Sequence, residues 1–261
     1  MALKRALTSL VLVFTLMLTM VPQAWAIQTE DFSYGAPSGI ISTEDGSYLM
    51  TDVFNKVIWK VDPDGTVTRV AGQISVPDVS GEPIGLLTDG TVLTAFFQNP
   101  WDITPFLDGY LVSEPDAHVI RYFNDTAVQT AAGNGEEGYH DDFGIDAEFA
   151  RPTGLATGDN GEVYIADTDN GVIRRLDTEG HVSTFCTGLS EPSGLFWHNG
   201  ALYVAETGGN CVSVIRYGAR TILAGHSGEE GYTDGLASAA RLRSPMGIAV
   251  DEDGTVYIAD T

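Results

Sequence analysis

"VYIADT" occupies residues 256–261, and the same six residues stand 93 positions earlier, at 163–168. An apolar run with no polar alternation that ends in an acid reads as a short strand covered on both faces. Relatives of this run recur as "YLMTD" to Asp52, "YLVSE" to Glu114 and "LYVAE" to Glu206, beside the copies ending in Asp167 and Asp260. Self-similarity at this spacing decides architecture before any local propensity does.

Working outward from each acid, a proline lies 14 or 15 residues upstream, in "PSG" (37–39), "PWD" (100–102), "PTG" (152–154), "PSG" (192–194) and "PMG" (245–247). Asp-Gly or Asn-Gly falls between proline and acid, at Gly46, Gly109, Gly161, Gly200 and Gly254, and predicts a tight hairpin joining two strands. A third strand is expected at 56–61, 118–123, 172–176 and 212–217, and a fourth at 66–72, 127–133, 181–188 and 220–225. Helical periodicity is absent after the leader. Four short antiparallel strands per unit, each unit unable to bury both faces alone, predict an all-β propeller. Its blades start near 37, 100, 152, 192 and 245, giving four blades and half of a fifth.

Longer connections carry a second repeat. "AGNGEEGYHDDFGIDAEFARP" (132–152) and "AGHSGEEGYTDGLASAARLRSP" (224–245) share Gly-Glu-Glu-Gly-Tyr, and the stretch 88–100 matches their second half. In all three, an aspartate (Asp89, Asp141, Asp234) stands 11 residues before the proline and an alanine (Ala95, Ala147, Ala240) five before it. Blade four lacks this segment, because "CTGLSEP" (186–192) crosses directly.

Residues 1–26 combine Lys4 and Arg5, an uncharged and mostly apolar run, and "AWA" at 24–26, the pattern of a secretory signal peptide; residues 27–261 form the propeller. No later stretch is long and apolar enough to span a bilayer. The expected location is outside the cell, at its surface or in the periplasm. Beyond the leader, 11 bases face 36 acids, a net charge of −25, which repels nucleic acid and anionic membranes. Cys186 and Cys211 are too few for a disulfide scaffold and sit at non-equivalent repeat positions.

The pattern "AG…GEEGYTDG…A-x-L-x-x-P-x-GIAVDEDGTVYIADT" resembles the NHL-repeat β-propellers, in the variety found in exported bacterial proteins. The resemblance covers residues 37–261 and implies a propeller, most often of six blades, so that this chain would be a fragment lacking its C-terminal blades. "PWD" in blade two and the glutamates of blades two and four depart from the family pattern.

The strand-ending acids Asp52, Glu114, Asp167, Glu206 and Asp260 are the candidate binding residues, because closure of a propeller would bring them into a ring toward one face. The structural alternative carries more weight, since a real site departs from the repeat: each carboxylate would accept backbone N–H groups of the following turn. Calcium on the acidic segments 135–142 and 228–235 is the one cofactor considered; they lack the Asp-x-Asp-x-Asp spacing of a dedicated loop, and no cofactor is expected. Tyr139 and Tyr232 are expected to pin the crossovers. His118, His140, His181, His198 and His226 fall at different repeat positions, whereas zinc catalysis needs about three converging ligands. The expected function is therefore a non-enzymatic binding or scaffold module for a protein or small extracellular ligand. The alternative is a metal-dependent hydrolase or lyase using the channel, as in lactonase-like and amidating-lyase-like relatives of this fold.

Overall fold

The computed structural model describes residues 35–74, 83–237 and 239–261. Residues 1–34, and with them the expected signal peptide, lie outside the described residues. Blade one is β1 (Pro37–Ser42), β2 (Tyr48–Asp52), β3 (Val57–Val61) and β4 (Val67–Ala71), paired in that order and antiparallel throughout. A two-residue strand in the first crossover, β5 (Gly90–Thr91), precedes blade two: β6 (Ile103–Phe106), β7 (Gly109–Glu114), β8 (Val119–Phe123) and β9 (Ala127–Ala132). Blade three is β10 (Pro152–Thr157), β11 (Val163–Asp167), β12 (Val172–Leu176) and β13 (Val182–Thr187). Blade four is β14 (Pro192–His198), β15 (Ala201–Glu206), β16 (Cys211–Arg216) and β17 (Ala219–Gly225), and a fifth sheet holds β18 (Gly247–Val250) and β19 (Val256–Ala259). The only helical pieces among the described residues are 3-10 turns at Pro115–Ala117 and Gly144–Asp146.

First strands pack on one another from blade to blade, β1 on β6, β6 on β10, β10 on β14 and β14 on β18, so they lie innermost and the fourth strands outermost. The core sits between neighbouring sheets: Leu111, Ile120 and Ala132 of blade two meet Leu155, Val163 and Ile165 of blade three, with Phe149 of the crossover between them. This is why the second strands are apolar on both sides; every residue of β11 and β15 is buried.

The glycine of Pro-x-Gly answers to close approach, not to turn geometry. A Cβ on Gly154 would lie 1.9 Å from the Ser193 carbonyl of the next blade, and one on Gly194 would lie 2.4 Å from that of Met246. Blade two has Asp102 at this position, and its carboxylate accepts the N–H of Ile103 (2.9 Å) and of Leu155 in blade three (2.8 Å). Hydroxyls add a second tie between blades. Thr51 donates to Trp101 O, Ser113 to Thr153 O, Thr168 to Pro192 O and Thr207 to Pro245 O, each in the following blade.

The hairpin of blade two forms as expected, but with its glycine just past the turn. Phe106 pairs with Gly109, so the turn is Leu107-Asp108, with Leu107 at φ 51°. Gly109 already belongs to the strand, where a Cβ would meet the Phe123 carbonyl at 2.3 Å. In blade four, by contrast, Asn199-Gly200 forms the turn with both φ values positive, as a two-residue hairpin requires.

The crossovers cover outer edges. β5 pairs with β9, and in the next crossover Asp142 O accepts Val182 N while Gly144 N donates to Gly180 O. An uncovered edge strand is a template for unwanted pairing, and these segments blunt it in blades two and three.

Candidate functional site

Four of the five strand-ending acids are buried: Asp52, Glu114, Asp167 and Glu206; Asp260 is exposed. Each has its own donors, none shared with another of the five. One donor recurs in every blade, the N–H two residues before the blade's proline. Gly35 N reaches Asp52 at 3.3 Å, Gln98 N reaches Glu114 at 2.9 Å, Ala150 N reaches Asp167 at 2.7 Å, Ser190 N reaches Glu206 at 3.0 Å and Arg243 N reaches Asp260 at 2.7 Å. Here the expectation needs correcting. Backbone donors from the following turn, Phe54 N and Asn55 N, are found only at Asp52; elsewhere they come from the segment entering the blade, which lies across the end of the second strand.

A second donor stands seven residues after the acid, on the third strand. Trp59 Nε1 donates to Asp52 (3.0 Å), Arg174 Nη1 to Asp167 (2.9 Å) and Ser213 Oγ to Glu206, while Arg121 Nη1 lies 3.6 Å from Glu114. Arg220 of β17 supplies the cation in blade four, with Nε 2.5 Å from Glu206.

Arg121 and Arg174 are fully buried, and sequence reasoning missed both. Arg174 bonds Asp167, the carbonyls of Glu148 and His140, and Asp141 through Nε and Nη2. Its guanidinium also lies over the rings of Phe149 (5.1 Å) and Tyr139 (5.2 Å). Arg121 repeats the arrangement on Phe96 O, Thr88 O, Asp89 and the Phe97 ring. The aspartate 11 residues before the proline thus anchors the crossover, and its carboxylate also accepts Thr130 N or Thr184 N on the fourth strand. A readable signal existed: the two blades with both an upstream crossover aspartate and a complete third strand carry arginine at this place, and blade four, with no crossover, carries Ser213.

Electrostatics follow the packing. Burial pushes Glu114 up to about 7 against its Asn99, Arg121 and Gln98 contacts, and pushes Asp102 up to about 6. Asp167 also rises through burial, opposed by Asn170, Ala150 N–H and Arg174. Arg121 is lowered, again by burial. Glu114 Oε1, Arg121 Nε and Asn99 Oδ1 have no hydrogen-bond partner.

The histidines stay apart. His118 Nδ1 accepts Arg151 N, His198 meets Asn199, and His140, His181 and His226 lie beside Asp142, Asp177 and Glu229. Among the described residues no group of three or more His, Cys, Asp or Glu side chains is placed to hold a metal ion. Tyr139 bonds Thr184, and Tyr232 bonds Arg243. Cys186 and Cys211 are free thiols, both raised by burial.

The profile of the NHL repeat matches residues 149–176, the span that holds Ala150, Pro152, Asp167 and Arg174. The chain carries an NHL repeat in blade three of its β-propeller. It is similar to Protein SUPPRESSOR OF QUENCHING 1, chloroplastic, of Arabidopsis thaliana, 25% identical over 194 residues. That match takes in 62% of this chain and 18% of that protein, so the matched region corresponds to less than a fifth of that relative's length. Among solved structures, a streptogramin B lyase superposes with TM-score 0.58 at 18% identity, over 92% of this chain and 64% of that one. The nidogen/laminin complex gives TM-score 0.59 at 16% identity, over 87% and 73%. These structural likenesses show the propeller fold. No helix among the described residues is long and apolar enough to cross a membrane.

Proposed function

We propose that this NHL propeller is a non-enzymatic binding or scaffold module, exported by its N-terminal segment, whose crossovers meet a protein or small ligand outside the cell. One observation carries the reading: crossovers present large apolar side chains to solvent at matched positions. Tyr139 and Tyr232 stand 13 residues before their prolines, Phe143 and Leu236 nine before, and Leu93 and Ile145 seven before, all exposed. Single exposed apolar residues are ordinary, whereas a repeated set marks a surface meant to be covered. In the same reading the five strand-ending acids are structural, holding each blade's entry to its second strand.

The likeness to a lyase rests on fold, and fold does not carry chemistry with it. Two measurements test the proposal. Tyr232→Ser combined with Leu236→Ser is expected to lower thermal stability only slightly, through the exposed Tyr232–Arg243 bond, and to abolish retention of the chain on the surface of its source cells. Lactone and ester substrates are expected to show no turnover above buffer, with or without added Zn²⁺ or Ca²⁺; turnover that a chelator abolishes would replace this reading with the enzymatic one.

A further inference from the structure

Blades two and three have their outer edges capped by the chain itself, and among the described residues no entering crossover caps blade four. In blade three the cap consists of Asp142 O on Val182 N, Gly144 N on Gly180 O, and the Asp141 carboxylate on Thr184 N. Matching registers place Ile222 where Thr184 stands, since Thr184 pairs with Arg174 and Ile222 with Ser213, the two residues seven after their acids. β17 is the last strand of its sheet, with Thr221 and Ile222 exposed, and the direct crossing at 186–192 supplies nothing to lie across it. Between β12 and β13 of blade three and the Tyr217-Gly218 turn that leads into this edge is a surface depression of about 290 Å³ lined by Arg175, Ser183, Thr184, Phe185, Tyr217 and Gly218. Tyr217 is wholly exposed.

Charge identifies the occupant. In a chain of 36 acids and 13 bases, Arg175 and Arg216 are exposed beside this edge, and neither forms an ion pair among the described residues. A second copy of the chain meeting this edge with its own would set arginines against arginines. An extended acidic strand would instead reproduce what the crossovers already do in cis, with main-chain bonds supplying affinity and carboxylates supplying specificity. We infer that the outer edge of blade four, β17 with the Tyr217 depression, is a strand-addition site for an extended acidic segment of a partner protein. This rests on the scaffold reading and names a second surface for it.

The probe is a fluorescein-labelled peptide, YHDDFGIDA, the sequence of residues 139–147 that caps blade three in cis. The full chain is expected to bind it saturably, and a peptide with its three aspartates replaced by lysine is not. Ile222→Pro removes the outward N–H, tolerable at an edge, and should weaken binding about tenfold by loss of a main-chain bond and a clash with the added strand. Arg175→Glu with Arg216→Glu, two surface changes that leave the ladder intact, should weaken binding about fivefold or more at low salt. Absence of saturable binding, equal binding of the lysine peptide, or indifference to the double arginine variant overturns the proposal. So does a dimer seen by sedimentation that Ile222→Pro dissolves. If Tyr232→Ser with Leu236→Ser abolishes cell-surface retention while the peptide fails to bind, the edge proposal falls alone; if retention is indifferent to that pair, the scaffold reading loses its support independently.

Discussion

Blades two and three are built on one plan, a buried acid, an arginine seven residues later and a crossover aspartate, yet one is saturated and the other is not. In blade three every Arg174 nitrogen bonds an acceptor, and Asp167 receives Ala150 N, Asn170 Nδ2 and Arg174 Nη1. In blade two the acid is glutamate. Its extra methylene carries the carboxylate to Gln98 N and Asn99 N on one oxygen, leaving Oε1 without a bond, 3.6 Å from Arg121, whose Nε is also unpaired. A buried ion pair is stabilising only when its geometry and remaining bonds are complete, so the same plan is worth different amounts in adjacent blades.

The largest expected effect comes from removing each arginine. Arg174→Met leaves Asp167 buried with one charge and strands Asp141 and two crossover carbonyls, a loss of about 3–5 kcal/mol. Arg121→Met should cost roughly 1–2 kcal/mol near pH 6, because Glu114, raised to about 7, can take a proton and become neutral. Urea unfolding of the two variants measures the gap. Equal losses would show that the unpaired atoms of blade two do not weaken its pair.

Next in size is the pH dependence. Asp102 and Glu114 hold protons in the folded chain at pH values where the unfolded chain has released them. Their stabilisation is therefore fully present below about 4 and is lost as pH rises through about 6 for Asp102 and about 7 for Glu114. Each contributes up to about 3 kcal/mol to this slope. Hydrogen exchange at pH 5 and pH 8 should show blade two loosening at the higher pH more than blade three, and Glu114→Gln should flatten most of that difference. A wild-type protein whose blade two is equally protected at both pH values would contradict the burial of these two carboxyls.

The repeat made the architecture legible because its marks are backbone demands: proline and glycine where blades crowd, an acid where the entering segment has an N–H to satisfy. The third strand was harder to read. In "VIRRL" nothing distinguishes Arg174, wholly buried, from Arg175, exposed, except alternation, and alternation gives the face without saying what covers it. The covering group is Asp141, 33 residues earlier, visible only by noting that arginine and crossover are present or absent together. Gly109 sits just past its turn for a related reason: Asp-Gly is a turn signal, but in blade two a carbonyl packed against the strand made the same demand for glycine. The partners of the acids were misassigned because turn chemistry is local and these donors lie 16 or 17 residues upstream in every blade.

The smallest effect is one on which the two blades should agree. Ser113, the residue before its acid, donates to Thr153 O of blade three and accepts Asp102 N at 3.1 Å. Blade three has Ala166 at that place and moves the hydroxyl to the other side of its acid, where Thr168 donates to Pro192 O at 2.8 Å and accepts from Thr153 Oγ1 at 2.6 Å. Each hydroxyl bonds a carbonyl of the following blade and at least one further group, so Ser113→Ala and Thr168→Val should each cost about 1–2 kcal/mol by leaving a buried group unpaired. The loss should appear one blade downstream, as faster exchange in β10 for Ser113→Ala and in β14 for Thr168→Val, because the tie holds the next blade's first strand. Matched losses would confine the difference between the blades to the acid and its arginine; a much larger loss at Thr168 would mean that blade three is also better joined to its neighbour.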